Sequence, residues 1–531
     1  MTERSAAYPA RWESDVVLSD GGTVHVRPIR ADDADALRGL HARLSDESIY
    51  LRLFSPVPKV SESQLKGLTT VDYDRQFALV AELGGDVVAV ARYASDKNDQ
   101  AEVAFIVQDD QQGRGLGTIL LEHLAGVARE RGITRFVAWM LSRNARMLRV
   151  FADAGYEVTR SSDGGTVEVA FDIEPTPASM AAQEAREHIS EARSVERILA
   201  PRSVAVIGAS RREGTIGNGI LHNLLDGQFV GPVYPVNPMA TSIGGVRAYA
   251  SVLDVPEDVD VAIVCVPAAQ VLDVAEQCAQ KGVHGLVVIS AGFAEVGGES
   301  GQTERVLVQL ARAHGMRMIG PNCIGVVNTS PDVRMNASFV PAVPMPGRIG
   351  FASQSGGLGI ELLARSAELG LGISTFVSMG NKADVSGNDL LQYWEEDPAT
   401  DVILLYLESL IVSTRSARWI ASPRWCARPR TVATGTFAPG DRTAVLRGSQ
   451  KEVRRMSSET ALIAVAVAWV SIGVTALDRD GPPRVRLLRV VRDGHDLWAV
   501  RDRDGRGRVA SPTGTWGDAD LASRRIDRGS R

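Results

Sequence analysis

One stretch constrains this chain more than any other: Val103 to Leu121, VAFIVQDDQQGRGLGTILL. Ala104, Phe105, Ile106 and Val107 form an apolar, β-prone run that suits a buried strand. Gln111 to Gly117 is a glycine-rich turn, and Thr118 to Arg131 has helical spacing. Glycine lets backbone N–H groups approach an anion, and the N-terminus of the following helix adds partial positive charge. Such a turn suits a phosphate or pyrophosphate. The structural alternative is a glycine turn that only redirects the chain.

The flanks narrow the choice. Gln112-Gly113-Arg114-Gly115-Leu116-Gly117 has the Q/R-x-x-G-x-G/A form of the GNAT acyltransferases, which residues 15–173 resemble. Val26-Arg27-Pro28-Ile29-Arg30 is similar to the family's opening strand, followed by Ala31-Asp32-Asp33-Ala34 at a helix start. Ser142-Arg143-Asn144 before a helix, closing with Ala154-Gly155-Tyr156, is similar to its C-terminal half. The resemblance implies acetyl-CoA bound by Val107, Gln112, Gly113, Arg114, Gly115, Gly117 and Asn144. Asn144 serves equally well as a helix N-cap.

Glu102 precedes this loop on the strand. It reads either as an ordinary strand-edge carboxylate or as a general base. An ammonium must lose a proton before it attacks a thioester, and a carboxylate raised by burial can take that proton through water. In the bacterial protein acetyltransferases that this sequence resembles, a glutamate at the matching place has this role. Many GNAT enzymes also place a tyrosine in the last helix to protonate the leaving thiolate. Phe151 stands there and cannot donate, so the acid is unassigned. Tyr156 reads as core in the next strand.

At 531 residues the chain exceeds one core. Glu174-Pro175-Thr176-Pro177 ends the first domain, and residues 174–195 read as an alanine- and glutamate-rich helical linker. Residues 196–330 read as a Rossmann-like domain. Ser203 to Ser210 runs from a buried strand into a turn, GTIGNG (214–219) opens a helix, and further strands follow at βαβ spacing. VIGAS (206–210), YPVNP (234–238), CVPAAQV (265–271), VISAGFAE (288–295) and IGPNCIGVVN (319–328) resemble the CoA-binding half of the NDP-forming acyl-CoA synthetases, the succinyl-CoA ligase alpha-subunit family. That resemblance implies CoA contacts at Gly208, Ser210, Gly217, Pro267 and Asn322. The first turn alone would also admit a nicotinamide reading. GRIGFASQSGGLG (347–359) begins a partial flavodoxin-like unit, 331–410, which meets phosphate in the resembled family. The expected fold class is therefore α/β throughout these regions.

The pattern breaks after Ser409. The synthetases continue with a loop carrying a phosphorylated histidine, supported by a glutamate at the place of Glu408. Here the only later histidine is His495. From Ile411 to Arg531 there are 22 Arg, 1 Lys and 12 acidic residues, so this tail is about +11 within a chain of net charge −6. It also holds five of the eight tryptophans. Such composition is expected of a high-GC gene read out of frame, or of a divergent basic tail, and the tail is expected to be irregular. Ala461 to Leu477 is apolar but shorter than a bilayer span.

The acidic balance argues against nucleic acid as the main partner. The four cysteines have no metal-ligand or disulfide spacing and suit a reducing cytoplasm, and no metal site is expected. MTERSAAYPARWESD has no apolar signal region. The domain order resembles the actinobacterial Pat-type protein lysine acetyltransferases. Their acceptors include metabolic enzymes such as AMP-forming acyl-CoA synthetases, and their synthetase-like region is taken as regulatory. An acyl-CoA synthetase fragment and a non-catalytic CoA-sensing protein remain as rival readings.

Overall fold

The structure, a computed structural model, describes residues 7–54, 60–95, 99–163, 165–340 and 344–408, together with the backbone of six strands beyond them. The first domain is one sheet of eight strands in the order β1-β2-β3-β4-β5-β6-β8-β7. These are β1 (Ser14–Val17), β2 (Thr23–Pro28), β3 (Gln76–Leu83), β4 (Asp86–Ala94), β5 (Gln100–Val107), β6 (Arg135–Leu141), β7 (Thr159–Asp163) and β8 (Thr166–Asp172). Helices α1 (Ala34–Ala42), α2 (Asp46–Leu53) and α3 (Glu62–Thr69) precede β3, while α4 (Leu116–Glu130) and α5 (Ala145–Asp153) follow β5 and β6.

Alternation along the strands assigns the faces. Phe77, Leu79 and Ala81 pack with Leu120, Leu121 and Leu124 of α4, whereas Ala78 and Val80 pack with Leu37 and Leu40 of α1 and Leu65 of α3. Fully burying each such leucine is worth about 1.5–3 kcal/mol. All neighbouring strands are antiparallel except β5 and β6, which pair in parallel only over Gln100–Glu102 with Arg135–Val137. Beyond Glu102 the two strands part.

The segment expected as a linker is the start of a 23-residue helix, α6 (Pro177–Leu199). Pro177 occupies its first turn, and the Thr176 hydroxyl accepts from the Ser179 N–H at 3.0 Å. Val195, Ile198 and Leu199 are buried in the core of the second domain, and Arg193 donates to the Ser19 carbonyl of the first at 2.6 Å.

The second domain is a wholly parallel sheet, β10-β9-β13-β14-β15. Its strands are β9 (Val204–Ile207), β10 (Val233–Val236), β13 (Val261–Val264), β14 (Gly285–Val288) and β15 (Arg317–Ile319), with a small hairpin of β11 (Ser242–Ile243) and β12 (Val246–Arg247). Helices α7 (Ile216–Asp226), α8 (Ala268–Lys281) and α9 (Ser300–Ala313) connect them. A third sheet orders β17-β16-β19-β18-β20-β21-β22. It comprises β16 (Gly325–Asn328), β17 (Met335–Ser338), β18 (Pro346–Ser353), β19 (Ile373–Ser378), β20 (Val402–Leu407), β21 (Thr431–Thr436) and β22 (Ala444–Arg447), with α10 (Gly356–Glu368) and α11 (Gly387–Glu396).

The pattern was expected to break after Ser409, with an irregular tail beyond it. Instead β21 pairs with β20 in parallel, and β22 pairs with β21 antiparallel. Apart from these and the strands 486–492, 495–501, 508–510 and 516–518, the Arg-rich tail lies outside the described residues, and so does Ala461 to Leu477. Among the described residues no helix is long and apolar enough to cross a membrane.

Candidate functional site: a glycine loop beside a split in the sheet

The loop between β5 and α4 is held open by its glycines. Gly113 and Gly115 have φ of 80° and 82°, a region L-residues avoid, and Gly115 is the N-cap of α4 without a side-chain cap. Among the described residues, the N–H groups of Gly113, Arg114, Gly115, Leu116 and Gly117 meet no acceptor. Five adjacent free donors at a helix N-terminus fit a pyrophosphate.

Side chains brace the loop from outside. The Gln112 amide donates to the Val107 carbonyl at 3.0 Å, and Arg146 donates to its oxygen at 2.6 Å. Arg114 donates to Asp20 at 2.8 Å. Burial pushes the Asp20 carboxyl up, but the Arg114 guanidinium and the Gly22 N–H more than offset this and hold it below its ordinary value. Gln112 and Arg114 are thus engaged within the protein, and the backbone is what the loop presents.

Glu102 stands at the vertex where β5 leaves β6. From Val103 onward β5 pairs only with β4, so one backbone edge faces the gap. A donor anchored on the loop would run along that edge, and its thioester end would reach Glu102. The burial expected for this carboxylate is not seen, because Glu102 is exposed. The splay of the strands leaves its side uncovered.

Asn144 caps α5, its Oδ1 accepting from the Met147 N–H at 3.2 Å, which is the structural role weighed above. Phe151 is fully buried against Phe105 and Phe171 and takes no part in the gap. Tyr156 is not in a strand as expected. It lies in the loop before β7, stacked on Phe171 at 5.2 Å. Two residues not singled out above, Arg52 on α2 and Arg92 on β4, share a cavity of about 410 Å³ with His41 on the Glu102 side of the sheet. A sequence signal existed for Arg92. It interrupts the apolar strand VVAVARYA at a position facing the helices.

The second domain gathers its expected residues at the carboxyl ends of its strands. Gly208 and Ser210 follow β9, Pro267 caps α8 after β13, and Asn322 follows β15. The strand order reverses between β9 and β13, where ligands of such sheets bind. A Cβ on Gly217 would lie 2.2 Å from the Gly208 carbonyl oxygen, so α7 packs directly on the turn. The Asn322 amide donates to Asn381 at 3.3 Å, and the Asn218 amide donates to the Ser210 carbonyl at 2.8 Å. Burial pushes the thiols of Cys278 and Cys323 up to about 12. Among the described residues no cluster of metal-ligating side chains occurs.

Three families match the chain in succession. Residues 47–156 match the acetyltransferase (GNAT) family, 202–329 a CoA binding domain, and 346–423 a succinyl-CoA ligase like flavodoxin domain. Over 172 residues the chain is 31% identical to an acetyltransferase of Pseudomonas aeruginosa, covering 31% of this chain and 91% of that protein. Over 277 residues it is 42% identical to an ADP-forming acetate–CoA ligase of Archaeoglobus fulgidus, covering 51% of this chain and 39% of that protein. The chain spans less than half the length of the ADP-forming acetate–CoA ligases that it matches. Among solved structures, the GNAT domain of S. lividans PAT is 48% identical, with a TM-score of 0.30, over 31% of this chain and 99% of that one.

Proposed function

Because the chain belongs to the GNAT acetyltransferase family, with a CoA-binding and a succinyl-CoA ligase-like domain behind the first, we propose that it transfers acetyl from acetyl-CoA to lysine side chains of proteins. AMP-forming acyl-CoA synthetases are the acceptors to try first, and CoA or acetyl-CoA held by the second domain is the regulatory ligand. One arrangement carries this reading: the free donors of Gly113 to Gly117 lie at one end of the unpaired β5 edge and Glu102 at the other.

In the reaction the acceptor nitrogen attacks the thioester carbonyl, the carbon–sulfur bond breaks, and CoA leaves as a thiolate. Glu102 receives the proton of the amine, directly or through one water. Its exposure leaves room for that water. No residue is assigned to protonate the thiolate.

Full-length protein incubated with acetyl-CoA and candidate acceptors tests the proposal. Glu102→Gln should keep donor binding and lose about a hundredfold to ten-thousandfold in turnover. A loss below about threefold at neutral pH would exclude Glu102 as the base. The 42% identity to an ADP-forming acetate–CoA ligase favours a second reading, a synthetase fragment. That reading would require CoA-dependent release of ADP from ATP and acetate. None is expected, because no histidine lies between Glu408 and His495 to carry a phosphoryl group.

A further inference from the structure

The face of the first-domain sheet that carries Glu102 also carries a charge imbalance. Along β5, Glu102, Ala104 and Ile106 face α1–α3, and on β4 Arg92 pairs with Ala104. Arg92, Arg52 of α2 and His41 of α1 line the cavity there, whose other walls are mainly apolar, Leu37, Leu40 and Leu68 among them.

Among the described residues, neither arginine has a carboxylate within ion-pair distance. Arg92 donates to the Leu68 carbonyl at 3.0 Å, and Arg52 makes no hydrogen bond or ion pair among the described residues. Burial lowers Arg52, with the more distant charge of Glu102 opposing it. Burial and the neighbouring Arg52 bring Arg92 down to about 10. Two half-buried guanidiniums facing one apolar cavity are costly unless something anionic enters. Elsewhere in this domain the protein pairs such a group. Arg27, equally inward, is held by Asp33 at 2.7 Å and by Glu82.

The position of the cavity says which substrate brings the anion. Val107 to Glu102 spans about 17 Å of strand, room for an extended pantetheine arm. The acyl carbon then falls beside Glu102 and Ala104, and whatever lies beyond the carbonyl can enter the cavity. The acceptor cannot supply the charge, since a lysine brings a cation, which two guanidiniums repel. The cavity is also far larger than an acetyl methyl fills, about a dozen water volumes.

We infer that this cavity is a carboxylate subsite for the acyl end of the donor, with Arg92 and Arg52 binding the far carboxylate of a dicarboxylic acyl group such as succinyl. The inference rests on the proposed donor site on the Gly113–Gly117 loop and extends its substrate class. The transfer step is unchanged: the nitrogen–carbon bond forms, the carbon–sulfur bond breaks, CoA leaves as a thiolate, and the amine proton goes to Glu102.

Calorimetric titration of the full chain with acetyl-CoA and with succinyl-CoA tests it. Charge-assisted hydrogen bonds to a partly desolvated carboxylate predict that succinyl-CoA binds at least about tenfold more tightly. That preference should fall to near unity in Arg92→Met and in Arg52→Met. It should also vanish in Gly115→Val, which blocks the first donor site and leaves the second domain as it is. Equal affinity of the wild type for the two thioesters would overturn the inference and leave the acetyltransferase reading standing. A preference that survives either both arginine substitutions or Gly115→Val would also overturn it. If no titration detects a site sensitive to Gly115→Val for either thioester, the donor site itself fails, and the inference with it.

Discussion

A methyl group placed on Gly113 would meet nothing within 4 Å, while one placed on Gly217 would lie 2.2 Å from the Gly208 carbonyl oxygen. Both glycines belong to strand–turn–helix units that read alike as anion-binding turns. In the first domain glycine is required by the backbone, since φ at Gly113 is 80°, and it leaves space in front of the loop. In the second it is required by packing, because α7 rests on the turn itself. The difference separates a turn with open space before it from a turn closed by the chain's own helix. The first should tolerate substitution in stability and fail in binding. The second should fail in stability first.

The second domain is tied to α6 by a buried ion-pair brace, and removing that brace should give the largest effect. Arg317 of β15 is buried and donates to Asp384 at 3.0 Å and to Glu191 and Ser194 of α6 at 2.8 Å. Arg312 also donates to Asp384, at 2.8 Å, and its carbonyl accepts from Thr23 of the first domain at 2.6 Å. Asp384→Asn would remove the buried carboxylate that both guanidiniums share, leaving Arg317 with Glu191 and Asp389, and should cost about 3 kcal/mol in denaturant unfolding. Burial pushes the Asp384 carboxyl up, but Arg317 and Arg312 more than offset this and hold it below its ordinary value. Its contribution is therefore present above the unfolded pKa, about 3.9, and is lost as pH falls through the lower folded value. The wild type should lose stability more steeply than Asp384→Asn below about pH 4. Parallel acid curves for the two would show that the brace does not hold the second domain.

Gly217→Ala should act more locally, costing about 1–3 kcal/mol as α7 is forced off the turn. Thermal melts should show this loss while donor binding in the first domain persists. A variant as stable as the wild type would mean that α7 can shift at little cost. The second turn would then resemble the first.

Much of this contrast was legible in the residues. The apolar runs Phe77 to Leu83 and Val87 to Tyr93 on either side of Gly84-Gly85 read as a hairpin, seen as β3 and β4, and the glycine spacing predicts the open loop. What was not legible depends on contacts between segments distant in sequence. Arg52 and Arg92 lie forty residues apart and meet at one cavity only because α2 folds against β5, the strand beside β4. The exposure of Glu102 follows from the parting of β5 and β6, which no periodicity in either strand encodes. The role of α6 as a joint depends on Arg317 and Asp384, more than a hundred residues downstream of it. Tyr156 was misplaced by the aromatic character of the residue, whereas its ring packs on Phe171 from a loop.

Gly113→Ala should have the smallest effect on stability and sharpens the comparison most. Its added carbon meets no protein atom, so the penalty is the left-handed backbone alone, about 1 kcal/mol. The same carbon would occupy open space on the loop whose N–H groups, from Gly113 to Gly117, meet no acceptor among the described residues. Acetyl-CoA affinity should therefore fall by about tenfold or more, a larger free-energy loss than the fold itself suffers. Melting and titration on the same preparation separate the two losses. If the melt drops as expected while the affinity for the first site is unchanged, the glycines of this loop serve only to turn the chain.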